Sequence, residues 1–239
     1  TERREALRRE GASRLVLVAP YIRYMPQDSA FLKGQAISQR VVGLLLTKIV
    51  DRIITIDAHL HRTSEIGDVF PGIEADNLSA MPAIADRLRT GSLNRKTIIV
   101  GPDAESRPWV SDLAGRLGLT HAVAQKTRRG DRAVEIEFPD PSLFAGRPVL
   151  MVDDIVSSGG TLIACAKAIA AAGATAIDAI ITHALFSAEL GIELTVAGIR
   201  TIRSTHSVPH PTNAFTLDET LLRALSREMQ TSGPPASAS

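Results

Sequence analysis

The chain has 239 residues, enough for one large domain or two modest ones. Its 27 Lys and Arg against 26 Asp and Glu leave a net charge of +1, which gives no support for a nucleic-acid partner. The single cysteine, Cys165, excludes an internal disulfide and favours a cytoplasmic protein, and no apolar run approaches the roughly 20 residues that span a membrane.

Aliphatic runs without clean polar alternation predict strands buried on both faces, as in a parallel sheet. They are LVLVAP (15–20), RIITIDAH (52–59), KTIIVGPD (96–103), RPVLMVDD (147–154), AIDAIITHALF (176–186) and GIRTIRST (198–205). Amphipathic stretches predict helices at 37–50, 81–90, 109–118, 161–173 and 217–229. This alternation predicts an α/β fold of parallel sheets flanked by helices, with FPGIEADNLSA (70–80) as a boundary between two units.

The stretch VLMVDDIVSSGGTL (149–162) predicts a strand that ends on Asp153 and Asp154 and a loop that leads into a helix. A helix N-terminus with adjacent glycines offers N–H groups and a positive dipole end to an anion. The nearby carboxylates accept hydrogen bonds from the hydroxyls of a sugar, so the stretch indicates a site for a 5-phosphoribosyl group. The alternative is an ordinary helix cap on Ser158 or Thr161 beside two solvated acids.

This stretch resembles the motif D-D-x-x-x-[ST]-G-G-T that type I phosphoribosyltransferases share with synthetases of phosphoribosyl diphosphate (PRPP). Further segments are similar to the synthetases, in family order. They are PYIRYMPQDSAFLKGQAIS (20–38), IDAHLH (56–61), VGPDAESRPWV (100–110), QKTRRGDR (125–132), THALFS (182–187) and STHSVPHPTNAF (204–215). Over residues 14–229 the chain therefore resembles the ribose-phosphate diphosphokinase family.

The resemblance implies two phosphoribosyltransferase-like α/β domains with the active site between them. We expect residues 1–76 to be the remaining part of an incomplete first domain that lacks its N-terminal segment. We expect 77–230 to form the second domain and the final helix, and 231–239 to be a disordered tail. The family transfers the diphosphoryl group of ATP to the 1-hydroxyl of ribose 5-phosphate with Mg²⁺, which gives PRPP and AMP for nucleotide biosynthesis. Its members are homo-oligomers, either dimers or hexamers.

The resemblance also implies roles for single residues. Ribose 5-phosphate would contact the acid pair and the following loop, namely Asp153, Asp154, Ser157, Ser158, Gly159, Gly160 and Thr161. Asp57 and His59 are two positions apart, so on a strand they would face one side and address one Mg²⁺. Asp103 would be a further metal ligand. Without the resemblance, a strand-end histidine such as His59 is more often bonded to backbone, and a single strand-end aspartate such as Asp103 is usually a cap.

Lys126 and Arg128 match the K-x-R pattern of the family's basic loop, so the resemblance makes them catalytic together with His59. The alternative is a solvated charged loop. The ATP site would include Gln27, Asp28 and Arg23.

The sequence departs from the family pattern at Pro26, where the family has an arginine, in GPDAES, which lacks paired glycines, and at His206, where the family has an aspartate. These departures keep a non-catalytic, ligand-binding relative open as an alternative. A phosphoribosyltransferase is a weaker alternative, because QKTRRGDR and IDAH argue against it.

Overall fold

The computed structural model describes residues 2–30, 32–60, 63, 65–129 and 133–231. Its helices are α1 (Glu2–Arg9), α2 (Ser38–Thr47), α3 (Ile66–Val69), α4 (Met81–Arg89), α5 (Arg107–Leu117), α6 (Gly160–Ala171), α7 (Ala188–Val196) and α8 (Asp218–Thr231). Its strands are β1 (Val16–Val18), β2 (Arg52–Ile56), β3 (Glu74–Leu78), β4 (Ile98–Gly101), β5 (Thr120–Val123), β6 (Gln125–Arg129), β7 (Ala133–Glu137), β8 (Pro148–Val156), β9 (Ala176–Ala184), β10 (Ile199–Thr205) and β11 (Asn213–Phe215).

The first sheet has the order β1-β2-β3, and its strands are parallel. Every residue of β2 is buried, as its uninterrupted RIITI sequence predicts. Ile53 of this strand packs with Ile22, Met25, Val69 and Phe70 in a hydrophobic cluster of its own. This cluster fixes the end of β2, where Asp57 and His59 follow.

The second sheet has the order β11-β10-β9-β8-β4-β5, and all its strand pairs are parallel. Apolar residues of α6 and α7, among them Cys165, cover one face. Apolar residues of α4 and α5 cover the other face. The sheet is therefore buried on both sides, and the predicted α/β fold with helix-flanked parallel sheets is confirmed.

Several elements differ from the sequence prediction. The predicted boundary at 70–80 contains β3, a polar strand that pairs with β2. The strand that was expected to end at Asp154 continues to Val156. The expected basic loop at 125–132 begins as β6, which pairs antiparallel with β7, and α7 was not predicted at all.

The final helix packs back on the first sheet. Glu228 of α8 forms ion pairs with Arg14 and with Arg52 of β2, and the Arg52 contact is 2.7 Å long. Arg52 also pairs with Asp76 of β3 at 2.7 Å, and its side chain is only 6% exposed. The helix therefore anchors the C-terminal end of the described chain to a buried charge in the first sheet.

The predicted disordered tail lies outside the described residues, except that Thr231 belongs to α8. The division at 76/77 stays a prediction; the first sheet ends at Leu78. Within the described part of the chain, no helix is long and apolar enough to cross a membrane.

Candidate functional site

A cleft of about 190 Å³ opens at the C-terminal ends of the strands of the second sheet. We call it the primary cleft. It is lined by His59, Asp103, Asp153, Asp154 and the segment from Ile155 to Leu162. In parallel sheets, ligands bind beyond the C-terminal ends of the strands. The structure thus brings together the acid pair, the serine-glycine loop and two of the three predicted metal ligands.

The acid pair lies within β8 rather than at its end. Because side chains of a strand alternate, Asp153 is partly exposed to the cleft, whereas Asp154 is buried. Burial, together with the negative charges of Asp154 and Asp103, raises the pKa of Asp153 well above its ordinary value. The carboxylates of the cleft therefore carry more negative charge than the positively charged residues that line it can balance.

His59 is held by carboxylates on both sides of its ring. Its Nδ1 lies 2.5 Å from Oδ2 of Asp154, and its Nε2 lies 3.1 Å from Oε2 of Glu105. Burial lowers the pKa of His59, but the bond to Asp154 and the neighbouring carboxylates outweigh it and raise that pKa. The imidazole thus links the end of the first sheet to β8 of the second.

The loop after β8 leads into α6 through a glycine at the N-cap position, which has no side chain to cap the helix. The N-cap residue of α6 is Gly159, with φ of 70°, so neither Ser158 nor Thr161 is the N-cap. The left-handed backbone favours glycine at this position, and a Cβ there would lie 2.8 Å from a terminal methyl group of Leu190, which would have to shift. The first turn of α6, from Gly160 to Leu162, lines the primary cleft, and its N–H groups have no capping side chain at the N-cap position.

Asp57 and His59 do not lie on a strand, so the strand alternation from which a shared side was predicted does not apply to them. The strand ends at Ile56, and Asp57 has a left-handed backbone with φ of 38°. Its carboxylate is 3% exposed and accepts three hydrogen bonds. The donors are Ala80 N at 3.1 Å, Thr182 Oγ1 at 3.0 Å and Trp109 Nε1 at 3.1 Å. Burial raises the pKa of Asp57 to about 7. Through these contacts the carboxylate connects the end of β2 to α5 and β9. Its predicted metal binding stays a prediction.

Asp103 follows β4. The sequence left open whether it is a helix cap or a residue of the metal site, and the structure places it as a cap that also lies at the primary cleft. Its Oδ1 accepts bonds from the backbone N–H groups of Glu105 and Ser106 at 3.1 and 3.3 Å, which caps a short 3₁₀ turn. It also lines the primary cleft. Its place beside Asp153 is consistent with a metal ligand, and that role stays a prediction.

The predicted ATP residues lie in the connection between β1 and α2 and do not line the primary cleft. Arg23 is exposed, and its guanidinium lies 5.7 Å from the ring of its neighbour Tyr24. Gln27 N donates to the Tyr24 carbonyl at 3.2 Å, and Asp28 lies next to it. The ring of Tyr21 lies 5.1 Å from that of His183, so this connection runs beside the end of β9.

Lys126 and Arg128 occupy alternate positions of β6, where they pair with Ile136 and Val134 of β7. Their side chains lie outside the described part of the structure, as do Arg132 and His61 altogether. The hairpin starts close to the primary cleft, because Ala124 N donates to the carbonyl of Gly101 at the end of β4.

Sequence reasoning missed Glu105 and Trp109. Both lie in the GPDAESRPWV segment, where the family resemblance pointed only to Asp103. Trp109 stacks at 6.4 Å between ring centroids on His59 while it donates to Asp57. For Glu105 the signal was the departure from paired glycines in GPDAES, which places a carboxylate near the predicted metal ligands; no signal in the sequence pointed to Trp109.

The primary cleft suits a hard divalent cation. Mg²⁺ prefers oxygen ligands and usually binds through one or two carboxylates, with waters and substrate oxygens in its other positions. Among the described residues, no three Asp, Glu, His or Cys side chains already surround one point. Asp103 and Asp153 supply carboxylate oxygens. Burial, and then the charges of Asp154 and Asp103, raise the pKa of Asp153, and a cation would offset both effects.

Comparisons with known proteins agree with this geometry. The sequence model of the phosphoribosyl transferase domain matches residues 75–219. A ribose-phosphate pyrophosphokinase of Methanopyrus kandleri is 31% identical over 207 residues, which cover 87% of this chain and 69% of the relative. One of Bradyrhizobium diazoefficiens is 33% identical over 213 residues, 88% of this chain and 65% of the relative. One of Pyrococcus furiosus is 31% identical over 225 residues, which cover 92% of this chain and 76% of the relative.

A solved phosphoribosylpyrophosphate synthetase from Mycobacterium smegmatis has the same fold. It superposes with a TM-score of 0.81 at 22% identity, over 96% of this chain and 76% of that one. This chain spans between about two thirds and three quarters of the length of these relatives. The family match, the relatives and the shared architecture together show that the chain belongs to the ribose-phosphate pyrophosphokinase family.

Proposed function

We propose that the chain catalyses the Mg²⁺-dependent transfer of the diphosphoryl group of ATP to the 1-hydroxyl of ribose 5-phosphate, which gives PRPP and AMP. One observation carries the proposal. The junction of β8 and α6 presents a carboxylate pair and a helix N-terminus with a glycine N-cap to the same cleft. Membership of the pyrophosphokinase family supports this choice of reaction over a plain phosphoribosyltransferase.

The sugar phosphate would lie across this junction. The N–H groups at the start of α6 and the hydroxyls of Ser157 and Ser158 would bind the 5-phosphate, since a helix N-terminus favours an anion. Asp153 would accept hydrogen bonds from the ribose hydroxyls, because it is the member of the pair that is exposed to the cleft. Asp154 is bonded to His59 and would position that imidazole beside the sugar.

Asp103 and His59 would hold Mg²⁺, with Asp153 close by. When bound, the ion supplies positive charge to the phosphate oxygens and lowers the repulsion between the carboxylates. Glu105 lies against Nε2 of His59. It would have to move aside for an ion bound at that nitrogen, or bind the ion itself.

Lys126 and Arg128 would stabilise the negative charge that develops on the transferred diphosphoryl group. Support comes from their match to the family pattern and from the start of the hairpin at the carboxyl end of β4. Gln27, Asp28 and Arg23 would bind ATP, and the active protein would be a homo-oligomer, a dimer or a hexamer. These assignments rest on the resemblance.

The reaction is tested by ³¹P NMR of the full chain mixed with ATP, Mg²⁺ and ribose 5-phosphate. We expect AMP and PRPP in equal amounts and no AMP when the sugar is omitted. Lys126→Ala should abolish the product. Lys167→Ala, which removes an exposed lysine on α6, is the matched control and should leave the rate unchanged.

A non-catalytic relative is the second candidate, and two observations favour it. Glu105 occupies the ring nitrogen of His59 that a metal would need, and Pro26 stands where the family has an arginine. Binding of ribose 5-phosphate, measured by calorimetry, without any AMP in the NMR experiment would establish this candidate and overturn the first.

A further inference from the structure

A second cleft of about 230 Å³ lies at the opposite ends of the strands of the six-stranded sheet, where β4, β8, β9 and β10 begin. We call it the basal cleft. Within the described part of the chain, its lining includes three arginines, namely Arg87 of α4 and Arg200 and Arg203 of β10. One acidic residue, Asp178 of β9, also lines it. Neither the family resemblance nor the proposed reaction uses any of these side chains.

Arg203 is the unusual member of this group. Its Nε is buried and has no hydrogen-bond partner within the described structure. The guanidinium lies 5.5 Å from the ring centroid of Phe215, so an aromatic face supports one side of it. A buried donor without an acceptor costs free energy, and such a group calls for a ligand or an ion that completes it.

Arg203 Nε makes no hydrogen bond to the nearby carboxylate of Asp178, which other donors engage. Arg200 binds Asp178 through two contacts, Nε to Oδ1 at 3.1 Å and Nη2 to Oδ2 at 2.6 Å. Thr201 Oγ1 donates to the same Oδ1 at 2.7 Å. Asp178 thus fixes Arg200 at the mouth of the basal cleft and leaves Arg203 to another acceptor.

We propose that the basal cleft binds a small dianionic oxyanion of the sulfate or phosphate-monoester type, with Arg203 as the anchoring ligand. A guanidinium presents several N–H groups in a planar fork that matches a tetrahedral oxyanion. Arg200 and Arg87 add positive charge at the rim, and the single carboxylate is already paired. This site is separate from the primary cleft because it lies at the other ends of the same parallel strands.

The probe is sulfate, and the readout is the side-chain Nε–Hε resonance of Arg203 in ¹H–¹⁵N spectra of the full chain. We expect this resonance to shift saturably as sulfate is added, together with the backbone amides of Arg200 and Thr201. Chloride at equal ionic strength should not reproduce the shift. Because the wild-type protein gives this readout, no variant has to fold for the proposal to be tested.

Variants then assign the site. Arg203→Met keeps an unbranched chain on Phe215 but removes the guanidinium, and Arg200→Met removes an exposed rim charge. Each should weaken sulfate binding in the basal cleft at least several-fold. Arg223→Met, at an exposed arginine of α8 outside both clefts, should change nothing. The proposal is overturned if sulfate shifts only the amides from Ser157 to Thr161, or if chloride shifts Arg203 equally.

Discussion

Trp109 donates its indole N–H to Oδ1 of Asp57 across 3.1 Å, and the same indole faces the imidazole of His59. Asp57 follows the central strand of the first sheet, whereas Trp109 belongs to α5 beside the second sheet. One buried carboxylate therefore ties the two sheets together next to the primary cleft. Its other bonds, to Ala80 N and Thr182 Oγ1, reach α4 and β9.

The first prediction concerns this carboxylate. Asp57→Asn should lower the free energy of unfolding by about 1–3 kcal/mol, because the amide NH₂ must face one of three donors. Trp109→Phe keeps an aromatic ring beside His59 but removes one donor, so it should cost less. Urea denaturation of the two variants and the double variant measures the coupling. Additive losses would show that the Asp57–Trp109 bond contributes nothing.

The second prediction is a pH dependence. Burial raises the pKa of Asp57 from 3.8 to about 7. Below the unfolded pKa both states hold the proton. Between the two values only the folded state holds it, so stability falls as pH rises. Relative to Asp57→Asn, the wild-type protein should thus lose stability from about pH 4 to about pH 7 and level off above that. Urea titrations across this range measure the difference; a rising or flat difference would refute the prediction.

Sequence patterns predicted the elements whose burial is uniform, such as RIITI of β2 and PVLMV at the start of β8. They missed β3, because EADNL is polar and only partly buried at the edge of its sheet. The residues that surround Asp57 were not predictable, because its donors lie at positions 80, 109 and 182 and meet only through the fold. Local motifs identified the loop of the primary cleft, since it is continuous in sequence.

The third prediction compares neighbouring glycines at the start of α6. Gly159→Ala should cost about 1–3 kcal/mol, because φ of 70° is strained for alanine and the new methyl group meets Leu190. Gly160→Ala meets no atom within 4 Å and should change stability by no more than about 0.5 kcal/mol. Thermal or urea unfolding checks both variants. Equal effects would mean that the left-handed turn at Gly159 relaxes freely.

The fourth prediction concerns the helix that returns to the first sheet. Glu228→Gln leaves the buried Arg52 with one charged partner fewer and should cost about 1–3 kcal/mol. Glu219→Gln breaks an exposed pair with Arg223 on the same helix and should cost at most about 0.5 kcal/mol. The two variants are compared by urea denaturation. Similar small losses would show that Arg52 keeps its charge satisfied without α8.

The ion pair between Arg52 and Glu228 of α8 can form only late in the synthesis of the chain. Arg52 and Glu228 are separated by 176 positions, so the nascent first sheet emerges from the ribosome long before its counter-charge. At about 5–20 residues per second, that interval is roughly ten seconds or more. Until then Arg52 has Asp76 as a partner, but the bond from α8 is missing. The first sheet therefore gains this ion pair only after the whole second sheet has been translated.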